Sequence, residues 1–162
     1  MEKVRTAQSE DQAPSSVTVL EALYRAEYPG MVRLAYTLVG SNAEAEEIVQ
    51  DSFVEVQGRM CHIRKPGAYL RSAVVSRCRS TLRRRAMAAQ RPPDRPASLP
   101  SEAGELWDVL GRLPEAQKLT VVLRHYGGYG ASEIGELLDM PASTVRSHLR
   151  RGLAALRKEL ER

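Results

Sequence analysis

The 162-residue chain has 27% charged residues and a formal net charge of +4 at pH 7. This length allows one medium domain or two small ones, each with a modest core. Aromatic residues make up 5% of the chain, and apolar residues seldom alternate with a period of two, so we expect an all-α fold. The sequence lacks a signal peptide and any run of about 18 apolar residues, which predicts a cytoplasmic protein without membrane insertion.

The two cysteines, Cys61 and Cys78, do not form a CxxC pair. Neither a zinc site nor a disulfide framework is therefore indicated. His62 lies beside Cys61, but two adjacent ligands without a second pair are weak evidence for a metal site. A glycine-rich phosphate loop is also missing. We expect no metal, no cofactor and no small-molecule substrate.

The beginning of the chain predicts a tail followed by a helical segment. Residues 1–16 are polar and show no apolar periodicity, which is typical of a disordered tail. The apolar spacing over residues 17–39 predicts one or two amphipathic helices. Pro29 and Gly30 mark the expected break between them.

An acidic helix is expected next. Ser41 or Asn42 is a suitable N-cap, and the helix is expected to run to about Val56. Acidic side chains in the first turns interact favourably with the positive end of the helix dipole, and here they are Glu44, Glu46 and Glu47.

A helix over residues 68–89 follows a short loop and is the most basic part of the chain. Its apolar positions predict one buried stripe. No carboxylate occurs in this segment to balance its arginines, which are Arg71, Arg77, Arg79, Arg83, Arg84 and Arg85. The pattern predicts a polar face that follows a phosphate backbone.

Residues 90–101 contain four prolines and no apolar period, which is typical of a flexible, semi-extended linker. This linker divides the chain into two small helical domains, at residues 17–89 and 102–162. In the second domain, Trp107 lies on an apolar helical stripe and is expected in the core.

Residues 131–151 fit a helix-turn-helix. Ile134, Leu137 and Leu138 form one apolar helical face, and Gly135 allows a close approach of the second helix. The turn is expected at residues 139–141, since Pro141 is tolerated only near a helix start. In the second helix the expected inward stripe is Val145, Leu149, Leu153 and Leu156.

The outer face of this second helix combines hydroxyls and guanidiniums that bind phosphates and base edges. Between Pro141 and Lys158 there is no acidic residue, although an ordinary solvated helix would carry some for i,i+4 ion pairs. The face consists of Ser143, Thr144, Arg146, Ser147, His148, Arg150 and Arg151. We expect it to bind DNA.

The order of these segments resembles a known family. The acidic segment 44–53 (EAEEIVQDSF) precedes AYLR at 68–71 and LRRR at 82–85, and LPEAQK at 113–118 precedes TVRS at 144–147. Over residues 18–161 the chain resembles the extracytoplasmic-function sigma factors of bacterial RNA polymerase, and it is similar to small actinobacterial members in particular.

The resemblance implies three functional surfaces. Residues expected to dock on the polymerase core are Glu44, Glu47, Gln50 and Asp51. Those expected at the -10 promoter element are Met60, His62, Arg64, Tyr69, Arg71, Ser76, Arg77, Arg79, Arg83 and Arg84, with the loop 60–65 holding a base flipped from the melting duplex. The second helix of the helix-turn-helix is expected at the -35 element. The implied partners are the β′ clamp and β flap of the polymerase core, promoter DNA and an anti-sigma factor, and the chain itself is expected to have no catalytic residues.

Some positions depart from the family pattern. Met60 stands where the loop often has Trp, Ser76 where the next helix often has Asn, and His148 where a long polar residue is usual. Asp139 replaces a frequent glycine in the turn, but Asp tolerates a left-handed φ better than most residues.

Three other functions are compatible with parts of the sequence. A stand-alone helix-turn-helix regulator would use the same second domain without joining the polymerase. A nuclease could hold Mg²⁺ with Glu44, Glu47 and Asp51, although a second acidic cluster and a catalytic His are missing. A protein-binding adaptor would use the basic helices to hold an acidic partner.

Overall fold

The computed structural model describes residues 15–88 and 101–161, without the side chains of residues 101–105 and 107. The helices are α1 (Ser16–Val39), α2 (Asn42–Arg59), α3 (Pro66–Met87), α4 (Ser101–Arg112), α5 (Glu115–His125), α6 (Ala131–Leu138) and α7 (Ala142–Leu160), with a 3-10 turn (Met60–His62) between α2 and α3. These ranges contain no strand, and the predicted all-α fold is confirmed.

Some predictions fall on parts of the chain outside the described residues. Of the predicted tail 1–16, residues 1–14 lie outside the described residues. Ser15 caps α1 and Ser16 is its first residue. Of the predicted linker 90–101, residues 90–100 lie outside the described residues. Ser101 is the first residue of α4. The expected core position of Trp107 concerns a side chain that is not described.

α1 is one continuous helix, so the break expected at Pro29 and Gly30 is wrong. Pro29 is exposed, and the buried face that follows it includes Leu34 and Leu38. Burial of this apolar face offsets the backbone hydrogen bond that an interior proline removes. The helix ends at Gly40, whose φ of 78° is left-handed and whose N–H donates to the Tyr36 carbonyl.

α1, α2 and α3 pack against one another and form the first helical unit. The predicted cap of α2 is confirmed, because the Ser41 hydroxyl accepts from the Glu44 N–H. Helical spacing places the apolar positions of all three helices on their inner faces. The buried side chains are Met31, Leu34, Ala35, Leu38, Val39, Ala45, Ile48, Val49, Phe53, Val56, Leu70, Val74, Val75 and Cys78.

α4, α5, α6 and α7 form the second helical unit, in which α7 packs on the other three. A Cβ at Gly152 would lie 2.8 Å from Cγ2 of Val121, so α5 and α7 cross closely at this point. The stripe expected for α7 is wrong at Leu153, which is 41% exposed. With 3.6 residues per turn, Gly152 lies between Val145 and Leu156 on the buried face and Leu153 falls beside it.

The two helical units contact each other through α1 with α5 and through α3 with α6. Lys118 of α5 is half-buried near Cys78 and Arg85 of α3. Burial lowers the pKa of Lys118 to about 8, and the charge of Arg85 adds to this. Burial also raises the pKa of the Cys78 thiol to about 12, so this thiol stays protonated at neutral pH.

Candidate nucleic-acid interface

The helix-turn-helix is formed by α6 and α7. Asp139 ends α6 with a left-handed φ of 54°, as the sequence predicts for the turn position. A Cβ at Gly135 would lie only 2.6 Å from the Met140 carbonyl oxygen. The close approach expected at Gly135 is therefore present: the backbone of the turn makes the tightest contact, and the backbone N of Ala142 at the start of α7 lies 3.6 Å away.

The start of α6 is held by the side chain of Glu133, at the third position of the helix. Oε2 of Glu133 accepts a hydrogen bond from the Gly130 N–H at 2.7 Å. Pro141 directly precedes α7 and takes its N-cap position, where its missing N–H costs nothing. Both helices of the motif thus begin where local sequence favours a helix start.

The outward face of α7 presents arginines to solvent. Arg146, Arg150 and Arg151 are exposed, and so is Ser143. Thr144, Ser147 and His148 are half-buried, and the Ser147 hydroxyl donates to the Ser143 carbonyl at 3.1 Å. Charge on this face is therefore carried by guanidiniums, which form bidentate contacts with phosphate or guanine.

A second basic surface surrounds a cleft between the end of α2 and the start of α3. The cleft has a volume of about 760 Å³ and is lined by Arg59, His62, Ile63, Arg64, Lys65 and Tyr69. The structure thus brings together His62, Arg64 and Tyr69 from the expected -10 set. Met60 is half-buried against the core instead, and exposed Ser76 lies further along α3.

Glu55 of α2 braces one wall of this cleft. The Tyr69 hydroxyl donates to Oε1 of Glu55 at 2.6 Å, and Nη2 of Arg77 donates to Oε2 at 2.9 Å. The hydrogen bond from Tyr69 lowers the pKa of Glu55, although partial burial opposes it, and Arg77 lowers it further. The same bond raises the pKa of Tyr69.

Glu55 is absent from the residues predicted from the sequence. The available signal was its place one helical turn after Asp51 and one turn before Arg59, with which it forms an i,i+4 pair at 3.8 Å. That spacing indicates a surface ion pair within α2, and nothing in it points to Tyr69 or Arg77.

α3 itself contains no carboxylate, as the sequence shows, but carboxylates of other elements pair with several of its arginines. Arg71 lies 3.9 Å from Glu27, and Arg83 lies 3.9 Å from Glu115. Arg85 pairs with Glu44 and also donates to the Val39 carbonyl. The exposed members of the predicted phosphate face include Arg84, whereas Arg79 is half-buried.

Arg71 is turned away from the basic cleft and toward the second helical unit. It lines a pocket together with Ser72 of α3 and with Tyr129, Glu133 and Glu136. The predicted -10 residues therefore do not form one continuous surface in this arrangement, because α6 covers part of α3.

The acidic residues of α2 border a groove against α3 that includes Glu44, Glu47, Asp51, Arg77 and Arg84. Glu47 and Gln50 are exposed. The side chain of Asp51 is 59% exposed, with Oδ2 4.0 Å from Nη1 of Arg77. Glu44, in contrast, forms an ion pair with Arg85 of the same chain.

Among residues 15–88 and 101–161, no group of three or more His, Cys, Asp and Glu side chains is placed to hold a metal ion. None of the helices in these ranges is long and apolar enough to cross a membrane. Cys61 and Cys78 are free thiols.

Comparisons with known proteins agree on one family. Residues 23–87 match the family model described as Sigma-70 region 2, and residues 103–156 match Sigma-70, region 4. The RNA polymerase sigma-E factor of Streptomyces avermitilis is 31% identical over 159 residues, which cover 92% of this chain and 89% of that protein. The ECF RNA polymerase sigma factor SigW of Bacillus subtilis is 26% identical over 79% of this chain and 81% of its own length.

A solved structure shares the fold. The sigma factor RpoE from Bartonella quintana, crystallised in complex with the anti-sigma factor NepR, superimposes with a TM-score of 0.74 at 17% identity, covering 88% of this chain and 97% of that one. The similarity extends over both helical units.

Proposed function

Because the chain belongs to the extracytoplasmic-function sigma factors of the sigma-70 family, which direct RNA polymerase core to promoters, we propose that its three charged surfaces divide this task. Residues 17–89 dock on the core and hold the melted -10 element. Residues 102–162 bind the -35 element as duplex. The stretch 90–101 links the two sites.

The observation that carries this assignment is the basic cleft beside Tyr69. Arg59, Arg64 and Lys65 supply positive charge at its rim, and Tyr69 supplies an aromatic ring in its wall. Cations that hold the backbone together with a ring that stacks a base are the features of single-strand binding. Melting costs a few kcal/mol for each unstacked base, and stacking in the cleft offsets part of that cost.

The -35 element is assigned to α7. Its exposed guanidiniums, Arg146, Arg150 and Arg151, lie on a helix whose opposite face is buried against the rest of the second unit. A helix presented in this way fits the major groove and contacts base edges and phosphates. We assign Ser143, Thr144, Ser147 and His148 to the same contact. The last three are half-buried and therefore offer less surface to DNA than Ser143.

Docking on the core is assigned to exposed residues of α2 in the acidic groove and next to it. Glu47, Gln50 and Asp51 are accessible to a basic partner surface, as electrostatic docking requires. Glu44 contributes less, because its carboxylate already pairs with Arg85.

Further parts of the proposal follow from the family. The chain acts in the cytoplasm, where the polymerase transcribes, and it supplies specificity while the core supplies catalysis. The Bartonella relative is bound by an anti-sigma factor, and we include such a partner, together with the β flap of the core, among the proteins that bind this chain. A stand-alone regulator is not favoured, because both sigma-70 regions are present.

Run-off transcription tests the proposal. The purified chain is added to bacterial core polymerase with a library of genomic promoter fragments, and we expect transcripts with defined start sites. The variant that carries Arg146→Ala and Arg150→Ala is expected to lose them. Binding of the chain to duplex DNA without binding to core would instead establish the stand-alone regulator.

A further inference from the structure

Glu55 is a carboxylate beside a cleft that otherwise attracts anions, and it contacts Tyr69 and Arg59, which line that cleft. Its side chain is 30% exposed, and the cations Arg59 and Arg77 lie against it. A negative charge at this place repels a DNA backbone and neutralises part of the field that attracts it. On electrostatic grounds alone, its presence weakens nucleic-acid binding.

The hydrogen bonds of Glu55 indicate what it contributes instead. One carboxylate oxygen accepts from the Tyr69 hydroxyl at 2.6 Å and the other accepts from Arg77 at 2.9 Å. Tyr69 is thus held at both ends, by its backbone in α3 and by its hydroxyl on α2. This double attachment fixes the direction of the ring axis, and because a phenolic O–H prefers to lie in the plane of its ring, the bond to Glu55 also favours one orientation of the ring face.

We propose that Glu55 is a positioning residue that holds the Tyr69 ring as a platform on which an unpaired promoter base stacks, with Arg77 bracing the carboxylate from the other side. This inference rests on the proposed function of the cleft and adds a residue to it. Because the Tyr69 hydroxyl is occupied by Glu55, Tyr69 acts on the base through its ring face.

The arrangement makes the cleft ready before DNA arrives. A ring that is already oriented does not lose side-chain entropy when a base stacks on it, and preorganisation of this kind increases affinity. The arrangement also connects the docking groove with the cleft, because Oδ2 of Asp51 in that groove lies 4.0 Å from Nη1 of the same Arg77.

The test uses the full chain assembled with core polymerase and a promoter fragment whose -10 region is single-stranded, with 2-aminopurine at successive positions. Stacking quenches 2-aminopurine fluorescence, so the quenching reports the ring geometry separately from the affinity. The variants are Glu55→Ala, Glu55→Gln, Tyr69→Phe and Tyr69→Ala. Glu46→Ala is the matched control, since it removes an exposed carboxylate from the same helix.

We expect Glu55→Ala to weaken binding about fivefold, the value of one hydrogen bond, and to reduce the quenching at one position. Tyr69→Phe removes the same bond but keeps the negative charge of Glu55, so it is expected to reduce the quenching equally and to weaken binding at least as much. Combining it with Glu55→Ala is expected to reduce the quenching no further. Glu55→Gln keeps an acceptor for the hydroxyl and is expected to restore quenching. Glu46→Ala leaves both readouts unchanged.

The direction in which Glu55→Ala changes affinity and quenching tests the role of Glu55. If Glu55→Ala binds as tightly as the parent chain or more tightly, with unchanged quenching, Glu55 only offsets charge and the inference is wrong while the cleft remains the base-binding site. If Tyr69→Ala changes neither affinity nor quenching, the proposed function of the cleft fails and the inference fails with it. Circular dichroism melting of each variant verifies that it is folded.

Discussion

Nε of Arg83, on α3, lies 3.9 Å from Oε1 of Glu115, on α5, so an ion pair connects the first helical unit with the second. The Arg83 side chain is 63% exposed, and an exposed pair of this kind contributes about 1 kcal/mol or less. Its significance is positional. α3, which carries Arg83, also contacts α6. These contacts place Arg71, which is expected at the -10 element, under the second unit.

Covalent closure of the two units is expected to prevent contact between DNA and Arg71. Ser72→Cys and Glu136→Cys, which line one pocket, are joined by a reducible cross-linker in a Cys61→Ser background. The locked chain is expected to bind the single-stranded -10 fragment at least about tenfold more weakly, because α6 and the carboxylate of Glu133 stay over Arg71 and keep phosphate away from it. Fluorescence anisotropy measures the binding.

The same sample after reduction is the control for this experiment, and each single-cysteine variant treated with the cross-linker is a second control. Equal affinity of the locked and the reduced chain would show that the -10 contact does not need the face of α3 that α6 covers.

Replacing Gly135 with Ala is expected to destabilise the second unit by about 1–3 kcal/mol, the usual cost of inserting a methyl group where no space exists. The new Cβ would lie 2.6 Å from the Met140 carbonyl oxygen, and the backbone of the turn would have to move. Chemical denaturation measures the loss.

Gly111→Ala is the matched control for Gly135→Ala. Gly111 is also helical, and nothing lies within 4 Å of its added Cβ. Alanine is favoured over glycine in a helix by about 0.5–1 kcal/mol, so this variant is expected to be more stable than the parent chain. A loss of stability at both positions, or at neither, would contradict the close approach at Gly135.

Stability is expected to depend on pH through Lys118. Its pKa falls from the ordinary 10.5 to about 8 in the folded chain. As pH rises from 7 to 9, the folded state loses this proton while the unfolded state keeps it, so folding becomes more favourable by about 1 kcal/mol. The contribution is complete only above 10.5 and is lost as pH falls through 8.

Lys118→Met isolates the contribution of Lys118 from other groups that titrate above pH 8. We expect the parent chain to become more stable relative to this variant as the pH rises from 7 to 9. A difference that stays constant across this range would mean that Lys118 keeps an ordinary pKa in the folded chain.

Arg146→Ala combined with Arg150→Ala is expected to weaken duplex binding and to reduce the slope of log K against log salt by about 0.9 for each phosphate that an arginine no longer neutralises. Arg157→Ala removes an exposed arginine later in the same helix and provides the comparison. An unchanged salt slope in the double variant would argue that neither arginine contacts phosphate.

Reversing the charge at Glu47 and Asp51, with Glu47→Lys and Asp51→Lys, is expected to weaken binding to core polymerase by about tenfold or more, since two attractive contacts become repulsive. Surface plasmon resonance at two salt concentrations measures the effect. Glu21→Lys, an exposed site on α1, adds the same kind of charge elsewhere. Core affinity that falls equally in both cases would remove the docking assignment from α2.

The sequence by itself determined the features that depend on near neighbours. The sequence narrowed the cap of α2 to Ser41 or Asn42 and predicted the turn at Asp139, the start of α7 near Pro141 and the outward arginines of α7. All of these result from interactions within about one or two helical turns. The order of the sigma-70 segments was also visible, because each segment is continuous along the chain.

Only the tertiary structure decided which charges meet. Glu55 and Tyr69 are 14 positions apart, Glu55 and Arg77 are 22 apart, and Glu44 and Arg85 are 41 apart. Helical periodicity places each residue on a face of its own helix, but it does not specify the rotation and height at which two helices pack. The arginines of α3 therefore looked unbalanced in the sequence, and packing brought carboxylates from other helices to several of them.

The same reason explains Leu153 and Pro29. Whether Gly152 or Leu153 faces the core depends on how closely α5 crosses α7, and whether α1 continues through Pro29 depends on the apolar surface that α2 and α3 offer to its second half. Both outcomes are set by free energies of burial between distant segments, which exceed the local preferences that a single sequence expresses.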